Sequence, residues 1–248
     1  MNILICIDDT DNEESIGTGH LAAFMSDALE KNGWGTCSPI TRHQLLVHPD
    51  IPYTSHNSSM CFPAEIESRR LETVTEFLQS FLKRESAPGS DPGLCIVDTG
   101  ALSEPEALIG FGKRAKAEIL RKEDAYRLSE RLSVHLSEHG GAGIGVIGAL
   151  AGCGLRISGN DGRFRGHFPV TADNGCLKAA ELRTQTGVDC IRGLDGTAID
   201  DGEVVLIGEK VKAIYQENSA ILPVYRFKDP EAGTTEWKTC SKEQLKVF

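Results

Sequence analysis

Several features common in functional proteins are missing from this sequence. None of its eight cysteines forms a C-x-x-C pair, which excludes a zinc ribbon of ordinary spacing. No apolar run approaches the ~20 residues that a membrane-spanning helix needs. The N-terminus enters a strand-like stretch with neither a basic flank nor a cleavage site, so no signal peptide is expected and the cysteines are expected to be reduced, cytoplasmic thiols. Basic residues are outnumbered 26 to 36, for a formal charge of −10. That balance argues against broad, non-specific nucleic-acid binding, which runs on phosphate neutralisation, and leaves a local basic groove open. No Gly-Lys-Ser or Gly-Lys-Thr follows the glycine-rich stretch, so it is neither a P-loop nor a dinucleotide fingerprint. There are no internal repeats and no low-complexity tract.

What is present is a chain of 248 residues, 40% hydrophobic and 25% charged, enough for one large domain or two small ones with a packed core. Residues 2–8 read as a buried strand. Residues 18–32 read as a helix, with Leu21, Phe24, Met25, Ala28 and Leu29 on one stripe and Gly33 as its C-terminal glycine. A second amphipathic helix is expected over 69–84, a short buried strand over 94–97, and one long or two shorter helices over 104–138. Strands and helices alternate up to this point, which predicts an α+β or α/β body. Beyond it, strand candidates at 204–208, 211–215 and 220–225 are joined by turns, with Pro223 confining the last to a sheet edge. The expected division is 1–176 for the main body and 177–248 for a smaller β-rich segment.

Four constellations can carry chemistry. Asp8, Asp9 and Asp11 follow the first strand, and Gly17 and Thr18 open the first helix. Carboxylates at a strand end beside a helix N-terminus suit Mg²⁺ and a phosphate; they equally suit an acidic turn capping a helix, with Thr18 as N-cap. The stretch from Gly140 to Gly154 is uncharged and glycine-rich. It offers amides for an anion or, through Gly145, Gly148, Ala149 and Gly152, a thin helix face for close packing. The segment from Arg42 to Ser58 places Arg42, His43, His48, His56, Asn57 and Ser58 around a proline-stiffened loop. His43 and His48 read as surface residues there, and a three-histidine zinc site fits no known spacing. Arg156, Arg163 and Arg165 suit a polyanion or a solvated hairpin.

Three of these stretches, in order, resemble one family. Ile7-Asp8-Asp9-Thr10-Asp11 with Gly17-Thr18, the Pro49-to-Tyr53 loop with Asn57, and Ile144 to Ala151 look like the catalytic core of the archaeal 2-agmatinylcytidine synthetases (TiaS), which modify an isoleucine tRNA. Gly193 to Thr197 resembles the segment that follows there. The likeness spans roughly residues 1–215. It implies a kinase-like α/β core with a ferredoxin-like module, and a reaction in which ATP activates a cytidine carbonyl by phosphorylation for attack by agmatine. It carries over Asp8, Asp9 and Asp11 as Mg²⁺ and phosphate ligands, and Thr18 as the threonine that takes the γ-phosphoryl group. Thr10, Gly17, Gly143, Gly145 and Gly148 would face the nucleotide, and Arg42, Asn57 and Ser58 the second substrate. The family's OB-fold and zinc ribbon, which hold the tRNA, are not expected within these 248 residues, and Asn57-Ser58-Ser59 lacks the expected glycine and basic residues. The expectation is therefore an ATP- and Mg²⁺-dependent enzyme acting on a smaller or nucleotide substrate. The alternatives are a non-catalytic nucleotide sensor or partner-binding protein, and tRNA modification with the RNA-holding parts supplied in trans. No membrane role is expected, and the oligomeric state is left open.

Overall fold

The computed structural model describes residues 1–51, 57–228 and 235–248. The chain divides into two compact units, Met1–Ser158 and Gly159–Phe248. Residues 159–176, assigned from composition to the first part, therefore lie in the second.

The first unit is built on an antiparallel sheet. Its central strand β1 (Asn2–Asp8) is flanked by β4 (Ser58–Ile66) and β5 (Gly93–Asp98). The strands β2 (Gly35–Cys37) and β3 (Thr41–Gln44) pair with β4, and β6 (His135–Glu138) pairs with β5. Residues 2–8 are almost uninterruptedly apolar because both faces of β1 are covered. Ile3, Ile5 and Ile7 pack on α1 (Thr18–Lys31) and α2 (Leu71–Glu85), meeting Leu21, Met25, Leu78 and Leu82. Leu4 and Cys6 pack on the opposite side, against α5 (Gly145–Ile157) and α3 (Pro105–Ala115). The helix α4 (Lys122–Leu132) adds Ala125 and Leu132 to that core. Residues 135–138, expected as helix, form β6 instead: Ser133 ends α4 in the left-handed conformation, and the next four residues find hydrogen-bond partners on β5. Gly33, at φ +63°, follows α1 as expected, and the N–H of Trp34 donates to the Leu29 carbonyl (3.0 Å).

The glycines of α5 set how close the layers lie. A Cβ on Gly152 would overlap the Cys6 Sγ and the Ser59 Oγ, and one on Gly148 would overlap the Asp8 carboxylate. On another side of the helix, a Cβ on Gly154 would overlap the Leu108 carbonyl of α3. The uncharged glycine run is thus a packing device on two of its faces.

The second unit holds β7 (Arg163–Phe164), β8 (Cys176–Lys178), α6 (Ala179–Thr186), β9 (Cys190–Gly193), β10 (Val204–Leu206), β11 (Ile214–Gln216), β12 (Ser219–Lys228) and β13 (Thr235–Thr239). Its longest strand, β12, has partners on both sides: β9 in parallel, and β11 and then β13 antiparallel. Pro223 is therefore interior rather than at an edge. The missing N–H is tolerated because Pro223 falls in the gap where β12 changes partner, after Ile221 and before Val224. The expected strand over 211–215 shrinks to β11, with Val211 forming a single bridge to Phe168. The core gathers Leu182, Ile191, Val205, Leu222, Val224 and Trp237.

Two helix glycines give opposite expectations for substitution by alanine. Gly154→Ala must displace a backbone carbonyl and is expected to cost about 1–3 kcal/mol, a fall in Tm of roughly 2–10 °C. Gly110→Ala in α3, with nothing within 4 Å of the added methyl, is expected to raise Tm by a few degrees through helix propensity. Equal Tm values for the two variants in thermal unfolding would remove the close-packing account of α5.

Candidate functional site

The strand β1 ends at Asp8 under the first turn of α5. Its alternation puts Leu4, Cys6 and Asp8 on the α5 face, and the missing side chain of Gly148 leaves room for the Asp8 carboxylate. The chain then turns sharply at Asp9, which takes the left-handed conformation at φ +52°, a strained setting for a residue with a Cβ. This turn lets neighbouring aspartates, which strand alternation would send to opposite faces, reach one cavity. That cavity, about 230 Å³, is lined by Asp8, Asp9 and Asp11, by Gly17 and Thr18, by Arg42, Asn57 and Ser58, and by Gly145 and Gly148. All of these were singled out from the sequence. Its apolar wall, to which no site role was assigned from the sequence, comes from Leu45, Ile51, Met60, Ile119, Leu120, Ile144 and Ile147.

Thr18 is the first residue of α1, and its hydroxyl does not cap the helix; the N-cap position is Gly17, at φ +88°. The Thr18 hydroxyl instead donates to Asp11 Oδ1 (3.1 Å) and accepts from the buried Thr10 hydroxyl (3.1 Å). No acidic residue stands in the first turn of α1. The reading of this segment as an acidic helix cap is therefore not the arrangement found. Thr10 does not line the cavity; it holds Thr18 from behind.

Burial pushes the Asp8 carboxyl up to about 8, and the neighbouring charges of Asp9 and Asp11 push the same way. Burial likewise raises Asp9, to about 6, with Asp91 and Asp11 as the repelling charges. Such a set is poised for a cation, which would replace protons as the compensating charge. The oxygens do not gather as tightly as three ligands of one ion would. Among the described residues, the His, Cys, Asp or Glu trio whose ligand atoms all lie within 4.8 Å of one another is a cysteine cluster elsewhere in the core. Mg²⁺ does not require three: it keeps several waters and uses one or two carboxylates together with phosphate oxygens.

The glycine turn before α5 behaves differently from expectation at Gly143, which is not in the cavity lining. Its N–H donates to Asp91 Oδ1 (3.0 Å), and the Gly145 N–H donates to the Asp91 carbonyl (3.1 Å). Asp91 thus ties the turn to the entry of β5 and adds a carboxylate beside Asp9. It was missed because Ser86 to Gly93, two prolines and two glycines among small, mostly polar residues, offers only the composition of a connecting loop. On the other wall, the Arg42 Nε donates to the Ser58 hydroxyl (2.9 Å), and the Asn57 amide donates to the Leu46 carbonyl (2.7 Å).

The remaining candidates separate. His43 is fully buried, contrary to expectation, and shares a hydrogen bond with the Thr41 hydroxyl (2.8 Å). The Nδ1 of His48, on the surface, accepts from the Asp50 N–H (3.2 Å); His56, Pro52 and Tyr53 lie outside the described residues. Arg156 is buried and donates to Thr41 Oγ1 (3.0 Å), and Arg163 is buried in the second unit. Neither is presented to a polyanion.

Comparison with known proteins follows the same lines. No protein-family model matches the chain. Over 159 residues it is 26% identical to TiaS of Methanosarcina acetivorans, a 2-agmatinylcytidine synthetase for an isoleucine tRNA, in a match covering 63% of this chain and 36% of that protein. It is 30% identical over 154 residues to an uncharacterised protein of Methanocaldococcus jannaschii, covering 62% and 49%. Among solved structures, a tRNA fluorescent labeling enzyme superposes with a TM-score of 0.54 at 25% identity, covering 62% of this chain and 36% of that one. The complex of TiaS with an isoleucine tRNA and ATP superposes at 0.55 and 24%, with the same coverage. The chain is TiaS-like. It spans about a third of the length of the TiaS relatives it matches. Its mixed helix-and-sheet fold agrees with theirs, and among the described residues no helix is long and apolar enough to cross a membrane.

The raised carboxyls of this TiaS-like chain make its stability depend on pH. Folded, Asp8 and Asp9 hold protons that they would release on unfolding, so stability present below about pH 4 is lost as pH rises through about 6 and then about 8. Without divalent ions, Asp8→Asn is expected to raise Tm by roughly 4–8 °C at about pH 9, near 2 kcal/mol, with the gain closing toward about pH 4. Parallel Tm curves for variant and wild type across that range would show that Asp8 is not held protonated.

Proposed function

We propose that the chain is an ATP- and Mg²⁺-dependent enzyme of the cytoplasm that transfers a phosphoryl group, either onward to an acceptor or to activate a carbonyl for attack by an amine. The observation that carries this reading is the hydroxyl–carboxylate pair of Thr18 and Asp11, set from behind by Thr10, in the same cavity as Asp8 and Asp9. A hydroxyl aimed at a carboxylate is the usual preparation of an oxygen nucleophile.

The donor set suits Mg²⁺: hard carboxylate oxygens, buried and mutually repelling, beside space for a ligand. Asp8, Asp9 and Asp11 would hold it, two at a time. A bound Mg²⁺ supplies neutralisation of charge on phosphate oxygens. The rest falls to the chain. The first turn of α5, whose Gly145 N–H is held by the Asp91 carbonyl, brings the positive end of a helix dipole beside the cavity. Leu45, Ile51, Ile119, Ile144 and Ile147 offer an apolar wall against which a nucleobase can lie with water excluded. Thr18 Oγ attacks the γ-phosphorus, its proton passes to Asp11, and the bond from that phosphorus to the bridging oxygen breaks to release the diphosphate. Arg42 and Ser58, at the opposite wall, would orient the second substrate; its identity is open.

A relative named as a 2-agmatinylcytidine synthetase for an isoleucine tRNA supports a second reading, cytidine modification in tRNA with the RNA-holding parts contributed by another chain or domain. At −10 this chain has little with which to hold RNA alone. Filter binding at low salt, where phosphate contacts are strongest, is expected to show no tRNA retention by this chain by itself.

For the first reading, incubation with γ-labelled ATP and Mg²⁺ is expected to label the protein, and Thr18→Ala is expected to abolish the label. Asp8→Ala and Asp11→Ala are expected to slow ATP turnover by about 10²–10³-fold with far-UV circular dichroism unchanged. Label that persists in Thr18→Ala places the acceptor elsewhere, and unchanged turnover in both aspartate variants removes the metal and base assignments.

A further inference from the structure

Below the carboxylates, on the same face of β1, lies a second cluster. Cys6 is two residues before Asp8, and across the sheet it stands opposite Cys61 on β4 and Cys95 on β5. The helix α5 lowers Cys153 onto this row. All four are fully buried. The Sγ atoms of Cys6, Cys61 and Cys153 lie within 4.8 Å of one another, and Cys95 is the next cysteine in the row, paired with Cys6 across the sheet.

Small buried thiols can pack as plain hydrophobes, and these four sit within the apolar core on this face of the sheet, but polar groups stand among them. Ser59, on the same face of β4 as Cys61, is fully buried and its hydroxyl has no hydrogen-bond partner. That hydroxyl and the Cys6 sulfur are the two groups that a methyl on Gly152 would strike, so the orphaned oxygen borders the sulfur cluster. The Thr41 hydroxyl, opposite Cys61 in the sheet, gathers the Arg156 guanidinium (3.0 Å) and the His43 ring (2.8 Å) into the same layer. A buried hydroxyl without a partner is costly unless something else completes the site.

We propose that Cys6, Cys61 and Cys153, with Cys95 as the fourth sulfur in line, hold a thiophilic closed-shell cation, Zn²⁺ or Cu⁺, in the core of the first unit. Thiolates select such ions over Mg²⁺. Zinc–sulfur bonds of about 2.3 Å set tetrahedral sulfur atoms about 3.8 Å apart, so the trio must close by no more than about 1 Å. Three thiolates leave one negative charge around Zn²⁺ and two around Cu⁺, and the Arg156 guanidinium lies on the side of Cys61 to lessen either. The ion would enter as the chain folds, since the site is sealed from solvent. Its role is structural: it would pin α5 to β1 and β4 one helical turn from the point where Gly148 sits over Asp8. The site is independent of the phosphoryl-transfer reading.

The test is metal analysis of the full chain purified under reducing conditions and dialysed against chelator, with a parallel preparation from cobalt-supplemented medium. About one zinc or copper per chain is expected, and the cobalt form is expected to show a thiolate-to-cobalt charge-transfer band and tetrahedral d–d bands. Cys61→Ser and Cys153→Ser are expected to lose metal and bands, while Cys37→Ser, outside the cluster, keeps both. Metal-free wild type with no cobalt bands overturns the proposal, and because it needs no variant it holds even where the serine variants fail to fold. Metal and bands retained by a folded Cys61→Ser, Cys153→Ser double variant, or a Cys6–Cys61 disulfide found by mass under non-reducing conditions, overturn it as well.

Discussion

The close seating of α5 on the sheet is the constraint on which the first unit depends. A helix ordinarily stands off from a sheet by the length of its side chains. Here Gly148 and Gly152 have none to interpose, and the backbone of α5 comes down onto Asp8, Cys6 and Ser59. Two consequences follow from that single distance. The Asp8 carboxylate is largely buried, open only toward the cavity, and burial is the largest influence on its proton affinity. The start of the helix arrives at the rim of the cavity, with its amide groups beside the aspartates. A bulkier residue at either glycine would lift the helix, rehydrate Asp8 and widen the cavity together, so packing and chemistry cannot vary separately here.

Much of this was legible in the sequence because periodicity and composition report burial directly. The unbroken apolar run from Ile3 to Ile7 announced a strand covered on both faces, and the small residues from Gly145 to Gly152 announced a helix made for close contact. The set of cavity residues was largely legible too, from Asp8 and Thr18 to Arg42 and Gly148. What was not legible came from pairings between distant segments. Asp91 carries no signal in a loop rich in proline and glycine, and only the fold brings the N–H groups of Gly143 and Gly145 onto it. His43 looked like a surface residue because nothing near it in sequence reveals that Thr41 and Arg156 share its buried layer. Spacing rules for cysteine ligands look along the chain, whereas Cys61, Cys6 and Cys95 are set side by side by strand register. Pro223 misled for the same reason: a proline forbids one hydrogen bond, and only the register shows that β12 changes partner at that residue.

The strained turn at Asp9 belongs with these. Strand alternation alone predicts that Asp8 and Asp9 diverge. A left-handed residue immediately after the strand reverses that divergence at the cost of local strain, of order 1–3 kcal/mol. Burial of carboxylates that repel one another adds to the same burden. The unit tolerates both because its two cores, one on each face of the sheet, are extensive.

The hydrogen bond between Thr10 and Thr18 spans the segment from Asp11 to Gly17 at its base. Glu13, Glu14, Ser15 and Ile16, at the far end, are exposed. A loop cinched in this way transmits little of what happens at its tip. Lengthening it there would change the closure entropy only logarithmically, by about 0.6 kcal/mol for a doubling, and would leave the hydroxyl and carboxylate of the site in register. The tip is thus the place where this loop can change in length without disturbing the Thr10–Thr18–Asp11 hydrogen bonds beneath it.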